Sequence, residues 1–213
     1  MCLLIVHHDL PSERLGRKRF FRAANANPDG VGFSWTLDGE LFTERYMDAG
    51  EAFRAYCAAA AMADGPAMLH FRFATSGKTD TTNVHPFVLD SGIAFAHNGV
   101  LGDGTREHSD TRHFAELALW GRDPDWFFDP RTEQQLGEWI GWNKLAFLAA
   151  DGRYAIVGEE LGERRGGTWF SNASAFTPRV TIGWHRVDDD VDDDDGVLNY
   201  IDDERWPLGA FED

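Results

Sequence analysis

Apolar and polar positions alternate along this chain in short runs separated by turn residues. Residues 1–9, MCLLIVHHD, form an apolar run rich in β-formers and predict a strand at the very start. Residues 31–36 and 40–46 alternate apolar with polar side chains about Asp38-Gly39, the two-residue signal of an antiparallel hairpin. Residues 145–150 and 154–158 repeat that arrangement about Asp151-Gly152. Further strands are expected at 67–74, 93–97, 168–171 and 179–184. Helices are expected at 14–24, at 51–63, where an Ala-rich run stops at Asp64-Gly65-Pro66, and at 133–142 despite Gly137 and Gly141. Ser109-Asp110-Thr111 predicts the cap of another helix that runs to Trp120 with Phe114, Leu117 and Ala118 on one face. Asn27-Pro28-Asp29-Gly30 marks a turn. Hairpins with helices grouped between them predict a layered α+β domain.

Size and charge bound that domain. At 213 residues and 43% hydrophobic content, with eight Trp and sixteen Phe, the chain can fill one substantial core, so one domain with an appendage is expected. Residues 187–213 hold 12 acidic residues and one Arg, a net of −11 out of the chain's −16, which leaves −5 for residues 1–186. A run such as VDDDVDDDD repels itself and buries little apolar area. The expected division is therefore a folded domain at 1–186 and an acidic, flexible tail at 187–213, either simply solvated or a docking segment for a basic partner. The run lacks the Gly turn and terminal Glu of a calcium loop. An acidic tail on an acidic chain argues against nucleic-acid binding. No apolar run approaches the roughly 18 residues that cross a bilayer, and no secretory pattern opens the chain, so a cytoplasmic protein without membrane contact is expected.

Candidate chemistry gathers around residues 68–101. Two strands there end in small polar residues with a Gly- and Thr-rich loop between them, and they deliver Arg72, Thr75, Asn98 and Gly99 to the walls of a pocket. That stretch holds no strong nucleophile. Cys2 directly follows the initiator Met, and its small side chain permits Met removal, which would leave a thiol and a free α-amine on one residue. The α-amine has a reference pKa of about 7.7 to 8.0 and the thiol about 8.5, a matched base and nucleophile. Asn98-Gly99 offers a side-chain amide beside an unshielded backbone N–H, which suits either an oxyanion site or an Asn-Gly turn. Arg72 lies in an otherwise apolar strand, so it meets a structural carboxylate or an anionic ligand. Asp110 is either a helix cap or the partner of a substrate ammonium. Cys57, within YCAAAAMA, reads as a buried helix residue, and a chain of this size needs no disulfide. His70, His85 and His97 lack metal-ligand spacing and read as structural; no metal or cofactor is expected.

Cys2, NPDGVGFSW at 27–35, HFRFATSG at 70–77, NVHPF at 83–87, AHNGVL at 96–101 and SDT at 109–111 together resemble the class II glutamine amidotransferases of the N-terminal-nucleophile hydrolase superfamily. TWFSNAS at 168–174 resembles them more weakly. In order and spacing the resemblance runs over residues 2–184. It implies an αββα sandwich of two antiparallel sheets between helical layers. It implies that Cys2 attacks the side-chain amide of glutamine with its own α-amine as base, forming a γ-glutamyl thioester and releasing ammonia. Asn98 and the Gly99 N–H would hold the oxyanion, Arg72 the substrate α-carboxylate and Asp110 its α-ammonium, with Thr75 and the Ser76-Gly77 backbone lining the same subsite. Larger members carry a domain that consumes the ammonia, and this sequence contains no such domain.

Three functions follow from that resemblance. The first is a glutaminase that passes ammonia to a separate synthetase or ligase chain. The second is a γ-glutamyl amide or peptide hydrolase without a partner, whose larger substrate is bordered by Trp35, Trp169 and the loop 102–108. The third is a scaffold that kept the fold and lost the chemistry, against which stand Cys2, Arg72, Asn98, Gly99 and Asp110 all present together.

Overall fold

The computed structural model describes residues 2–176. The strand expected at 179–184, the domain end at 186 and the tail at 187–213 lie outside the described residues.

Among the described residues ten strands form two sheets. The first sheet has the order β3-β2-β4-β1-β10-β9, built from β1 (Leu3–His7), β2 (Val31–Leu37), β3 (Glu40–Tyr46), β4 (Ala67–Phe71), β9 (Glu163–Arg165) and β10 (Thr168–Phe170). The second has the order β5-β6-β7-β8, built from β5 (Phe87–Val88), β6 (Ala94–Asn98), β7 (Lys144–Leu148) and β8 (Tyr154–Val157). Every pairing is antiparallel. Both expected hairpins form, β2 with β3 and β7 with β8, because an Asp-Gly pair supplies the backbone that a tight turn between twisted strands requires. The helices are α1 (Leu10–Glu13), α2 (Arg17–Ala26), α3 (Ala49–Met62), α4 (Asp110–Phe114) and α5 (Pro130–Ile140).

Period-2 alternation sorts β1 between two cores. Leu3 and Ile5 face a helical layer with Phe20 of α2 and Phe53 and Tyr56 of α3. Leu4 and Val6 face the other sheet, where Ala94, Ala96 and Ala146 keep the side chains small and let the sheets approach. On the outer side of the second sheet, Phe95, Leu145 and Phe147 pack against Phe114, Leu119, Phe127 and Ile140. The order of layers is therefore helix, sheet, sheet, helix, each seam closed by its own apolar cluster.

Four elements depart from the sequence expectation. The helix expected at 14–24 starts only at Arg17, after Gly16, and runs to Ala26, with Leu10–Glu13 a separate short helix before it. The helix from Ser109 is capped as expected, with Ser109 Oγ accepting from the Arg112 N–H, but past Phe114 it continues as a π-helical turn over Ala115–Leu119. That wider turn buries Phe114, Ala115 and Leu119 and leaves Leu117 87% exposed, so the expected face of Phe114, Leu117 and Ala118 does not form. The helix expected at 133–142 starts earlier, at Pro130 behind an Asp129 cap, and ends at Gly141 rather than running through it. The strand expected at 67–74 stops at Phe71, and the backbone of 72–74 leaves the sheet. Among the described residues no helix is long and apolar enough to cross a membrane.

Candidate active site

Cys2 sits at the leading end of β1, where Leu3 pairs with Phe71 of β4. Because β4 ends there, the freed backbone of Phe73 reaches the thiol: Phe73 N–H donates to Cys2 Sγ at 3.3 Å, and Sγ lies 3.5 Å from Phe73 O. The 72–74 segment is held in turn by the Asn27-Pro28-Asp29-Gly30 turn. Asp29 Oδ2 accepts from Ala74 N–H at 2.8 Å, Asp29 N–H donates to Arg72 O, and Arg72 N–H donates to Gly30 O. On the other side of β1, Asn172 Nδ2 donates to Cys2 O at 2.7 Å, and Ser171 Oγ accepts from Leu4 N–H at 2.8 Å. Burial pushes the Cys2 thiol above its ordinary pKa; the Phe73 hydrogen bond and the charge of Arg72 pull the other way. The resting group is a protonated thiol that needs a base. Cys57 is half-buried in α3, with Arg14 Nη1 at 3.1 Å from its sulfur.

The pocket at Cys2 is lined by Arg72, Thr75, Ser76, Gly99 and Asp110, among others. Arg72 is 3% exposed, and its guanidinium donates to two backbone carbonyls, Lys78 O at 3.0 Å and Ser76 O at 2.9 Å. Among the described residues no carboxylate lies in hydrogen-bond contact with the guanidinium, so the structural-carboxylate alternative for Arg72 is not met. Asp110 is not the helix cap, a role taken by Ser109; its Oδ2 accepts from Leu101 N–H at 2.8 Å and so ties the chain after Gly99 to the start of α4. Two residues of the expected set do not line the pocket. The Gly77 N–H donates to Thr105 O, and Asn98 turns its Nδ2 to Ser171 Oγ at 2.8 Å, leaving its Oδ1 buried without a partner among the described residues. Trp35 and Trp169, expected to border a larger substrate, are 4% and 0% exposed and belong to the cores; Trp169 Nε1 donates to Glu159 O.

The loops beside the pocket touch closely. A Cβ at Gly104 would fall 2.5 Å from Ser76 Cβ, so only glycine allows this approach. Asn83, fully buried, clamps the two loops: its Nδ2 donates to Lys78 O and Glu107 O, and its Oδ1 accepts from Ser109 N–H. Lys78 and Glu107 form an exposed ion pair across the same seam.

Histidines brace the walls. His97 Nδ1 lies 2.8 Å from Thr111 Oγ1 and Nε2 lies 2.9 Å from Asn143 Oδ1. Asn143 Nδ2 donates to Ile140 O, so its Oδ1 is the acceptor, and His97 therefore carries its proton on Nε2 and accepts from Thr111 on Nδ1. His85 Nδ1 lies 3.2 Å from His97 O, and the His70 and His85 rings lie 4.2 Å apart. Burial holds His70 at about 3 and His85 well below the usual imidazole range, so both are neutral. Among the described residues no group of three or more His, Cys, Asp or Glu is placed to hold a metal ion.

Sequence reasoning did not single out Ser171, Asn172, Asn83 or Asn143 as supports of this site. The first three lie inside the stretches TWFSNAS and NVHPF, so a signal was available. Asn143 stands in no such stretch.

No family model matches the chain, and no curated protein matches it. Among solved structures, a glutamine aminotransferase class-II domain protein from Silicibacter pomeroyi is similar with a TM-score of 0.44 and 16% identity, over 80% of this chain and 87% of that one. Glutamine phosphoribosylpyrophosphate amidotransferase from B. subtilis is similar with a TM-score of 0.50 and 17% identity, over 83% of this chain. The alignment spans 43% of that amidotransferase, less than half its length. At this identity the likeness is one of fold, an αββα sandwich of two antiparallel sheets between helical layers.

Proposed function

We propose that this protein is a glutamine amidohydrolase of the class II amidotransferase kind, with Cys2 as its N-terminal nucleophile once Met1 is removed. What carries the reading is one arrangement: a half-buried thiol at the start of a central strand, in a pocket that also presents Arg72, Asp110 and Gly99.

In this reading Arg72 takes the α-carboxylate of glutamine and Asp110 the α-ammonium, which aims the side-chain amide at Cys2. The thiol passes its proton to the α-amine of the same residue as Sγ bonds to the amide carbon. The negative charge on the former carbonyl oxygen is met by the Gly99 N–H and Asn98 Nδ2. For Asn98 this requires its carboxamide turned over, which lets Ser171 O–H donate to Oδ1, removes the orphaned acceptor and frees both Nδ2 hydrogens. The C–N bond breaks as the ammonium proton returns to the leaving nitrogen, giving ammonia and a γ-glutamyl thioester. Water, deprotonated by the same amine, then attacks the thioester, and glutamate leaves with the thiol restored.

The pocket at Cys2 is about 20 Å³, room for about one water molecule, so glutamine enters when the Ser76 and Gly104 loops part. Asn83 and the Lys78–Glu107 pair are the contacts that such an opening breaks. The ammonia would serve a separate ligase or synthetase chain, with a domain end at 186 and the acidic residues 187–213 as the docking segment. A partner-free hydrolase of larger γ-glutamyl compounds has less support, because Trp35 and Trp169 are buried in the cores.

A substrate panel tests the reading. Ammonia released from free glutamine, lost in Cys2→Ala and several-fold faster than from bulky γ-glutamyl conjugates, is the expected result. Turnover of conjugates alone would overturn it in favour of the hydrolase. Removal of residues 187–213 tests the docking element: unchanged partner capture and unchanged coupled activity would end that part.

A further inference from the structure

A second cavity, of about 340 Å³, opens where β3, β5 and the helical segment after Ser109 meet. It is lined by Arg45, Phe87, Leu89, Arg112, Glu116 and Trp120, among others, and shares none of its lining with the Cys2 pocket. Its volume lies in the range of small-molecule sites, roughly 300 to 1,000 Å³.

The charges in this cavity do not cancel. Arg45 projects from β3 toward the edge of the second sheet, where its Nε donates to Pro86 O at 2.8 Å and its guanidinium lies 5.8 Å from the centre of the Phe87 ring. Those contacts fix the plane of the fork, and neither Nη has a protein partner among the described residues. Arg112 pairs through Nε with Glu116 at 3.0 Å, one helical turn on, which likewise leaves its Nη groups unpaired. Two guanidiniums face one carboxylate, in a chain whose net charge is −16. Burial lowers the pKa of Arg45 and the like charge of Arg112 lowers it further, as expected for a cation without a carboxylate partner. Phe87, Leu89 and Trp120 supply an apolar wall beside this positive end. A fork of fixed orientation next to an apolar wall is suited to an oxyanion carried on an apolar body.

We propose that this cavity binds a small organic anion, a carboxylate or phosphate on an aromatic or branched apolar body, with the oxyanion between Arg45 and Arg112 and the body against Phe87, Leu89 and Trp120. The two segments that hold it also wall the other pocket. Arg112 follows Asp110 and Thr111, and Phe87 follows His85, all of which line the Cys2 pocket. The two sites therefore lie on shared chain segments. The binding claim is independent of whether Cys2 is a nucleophile.

The test uses the full chain, with the Trp120 indole N–H followed by NMR and assigned by its loss in Trp120→Phe. Phenyl phosphate, benzoate, inorganic phosphate and benzyl alcohol are the probes. A saturable shift with phenyl phosphate or benzoate, at least about tenfold tighter than with inorganic phosphate or benzyl alcohol, is expected, and the tighter of the two names the oxyanion. Arg45→Gln and Arg112→Gln should each weaken it about tenfold. Glu116→Gln should instead tighten it several-fold, a gain that misfolding cannot produce, because it releases Arg112 from its competing carboxylate. No saturable shift, inorganic phosphate binding as tightly as phenyl phosphate, or an affinity unmoved by Glu116→Gln and Arg112→Gln would each overturn the proposal.

Discussion

Asn143 Oδ1 occupies the space in which a side chain at Gly99 would begin: a Cβ there would lie 1.9 Å from it. The same oxygen accepts from Val100 N–H at 2.6 Å and from His97 Nε2 at 2.9 Å. Gly99 itself has φ +147°, a conformation that L side chains rarely adopt. One carboxamide thus fixes the backbone on both sides of Gly99. Gly99→Ala is expected to lower turnover of glutamine at least about a hundredfold, because the N–H proposed to hold the oxyanion moves. In an Asn143→Ala background the clash is gone and the φ strain remains, so the stability costs of the two changes should be clearly less than additive in a denaturant double-mutant cycle. Additive costs would show that the two residues do not share this contact.

Arg72 offers a second test. Its forked contacts to Ser76 O and Lys78 O hold the guanidinium in one plane, and an ammonium cannot reproduce them. Arg72→Lys is expected to raise KM for glutamine about ten- to a hundredfold with a smaller change in kcat, and to erase discrimination against 4-aminobutanamide, the analogue without the α-carboxylate. Discrimination retained in the variant would remove Arg72 from substrate binding.

The desolvated thiol of Cys2 predicts a pH signature. Because burial raises the Cys2 pKa, alkylation by iodoacetamide should keep accelerating above pH 9, while kcat/KM for glutamine should level off near pH 8, as the α-amine becomes free. An alkylation plateau near pH 7 would mean a stabilised thiolate and no need for the amine.

Acid should unfold the domain through its histidines. His7, between Tyr56 and Thr168, and His70 are both held at about 3 by burial, against about 6.5 in an unfolded chain. The unfolded state therefore binds more protons between those values. Stability is full above pH 6.5 and falls as pH drops toward 3, by up to about 1.4 kcal/mol per pH unit for each histidine. At pH 5 the two together should cost about 4 kcal/mol. Urea midpoints measured from pH 7.5 to 5 check this; a flat profile would contradict it.

The sequence disclosed local features better than long-range ones. Asp38-Gly39 and Asp151-Gly152 set their hairpins because turn chemistry is written in the turn itself, and α3 followed from an Ala-rich run that stops at Asp64-Gly65-Pro66. Arg72, Thr75 and Gly99 could be placed in one pocket because two strands lead into it, whereas Cys2, Ser76 and Asp110 were joined to them by the family resemblance. The rest depends on distant partners. Asn143 meets His97 across 46 residues, and Ser171 meets Leu4 across 167, so neither role has a local sign. β5 and β9 are two and three residues long and exist because a neighbouring strand offers them an edge. Leu117 reads as core by helical period and is turned to solvent by the π-helical turn.

The central claim, that Cys2 is an N-terminal nucleophile in a glutamine pocket, is tested most directly by intact mass before and after incubation with a diazo-ketone analogue of glutamine. The account predicts loss of the Met1 mass and a single adduct on Cys2 that excess glutamine prevents. Retained Met1 with no adduct would contradict it, since the mechanism would then have no free amine to act as base.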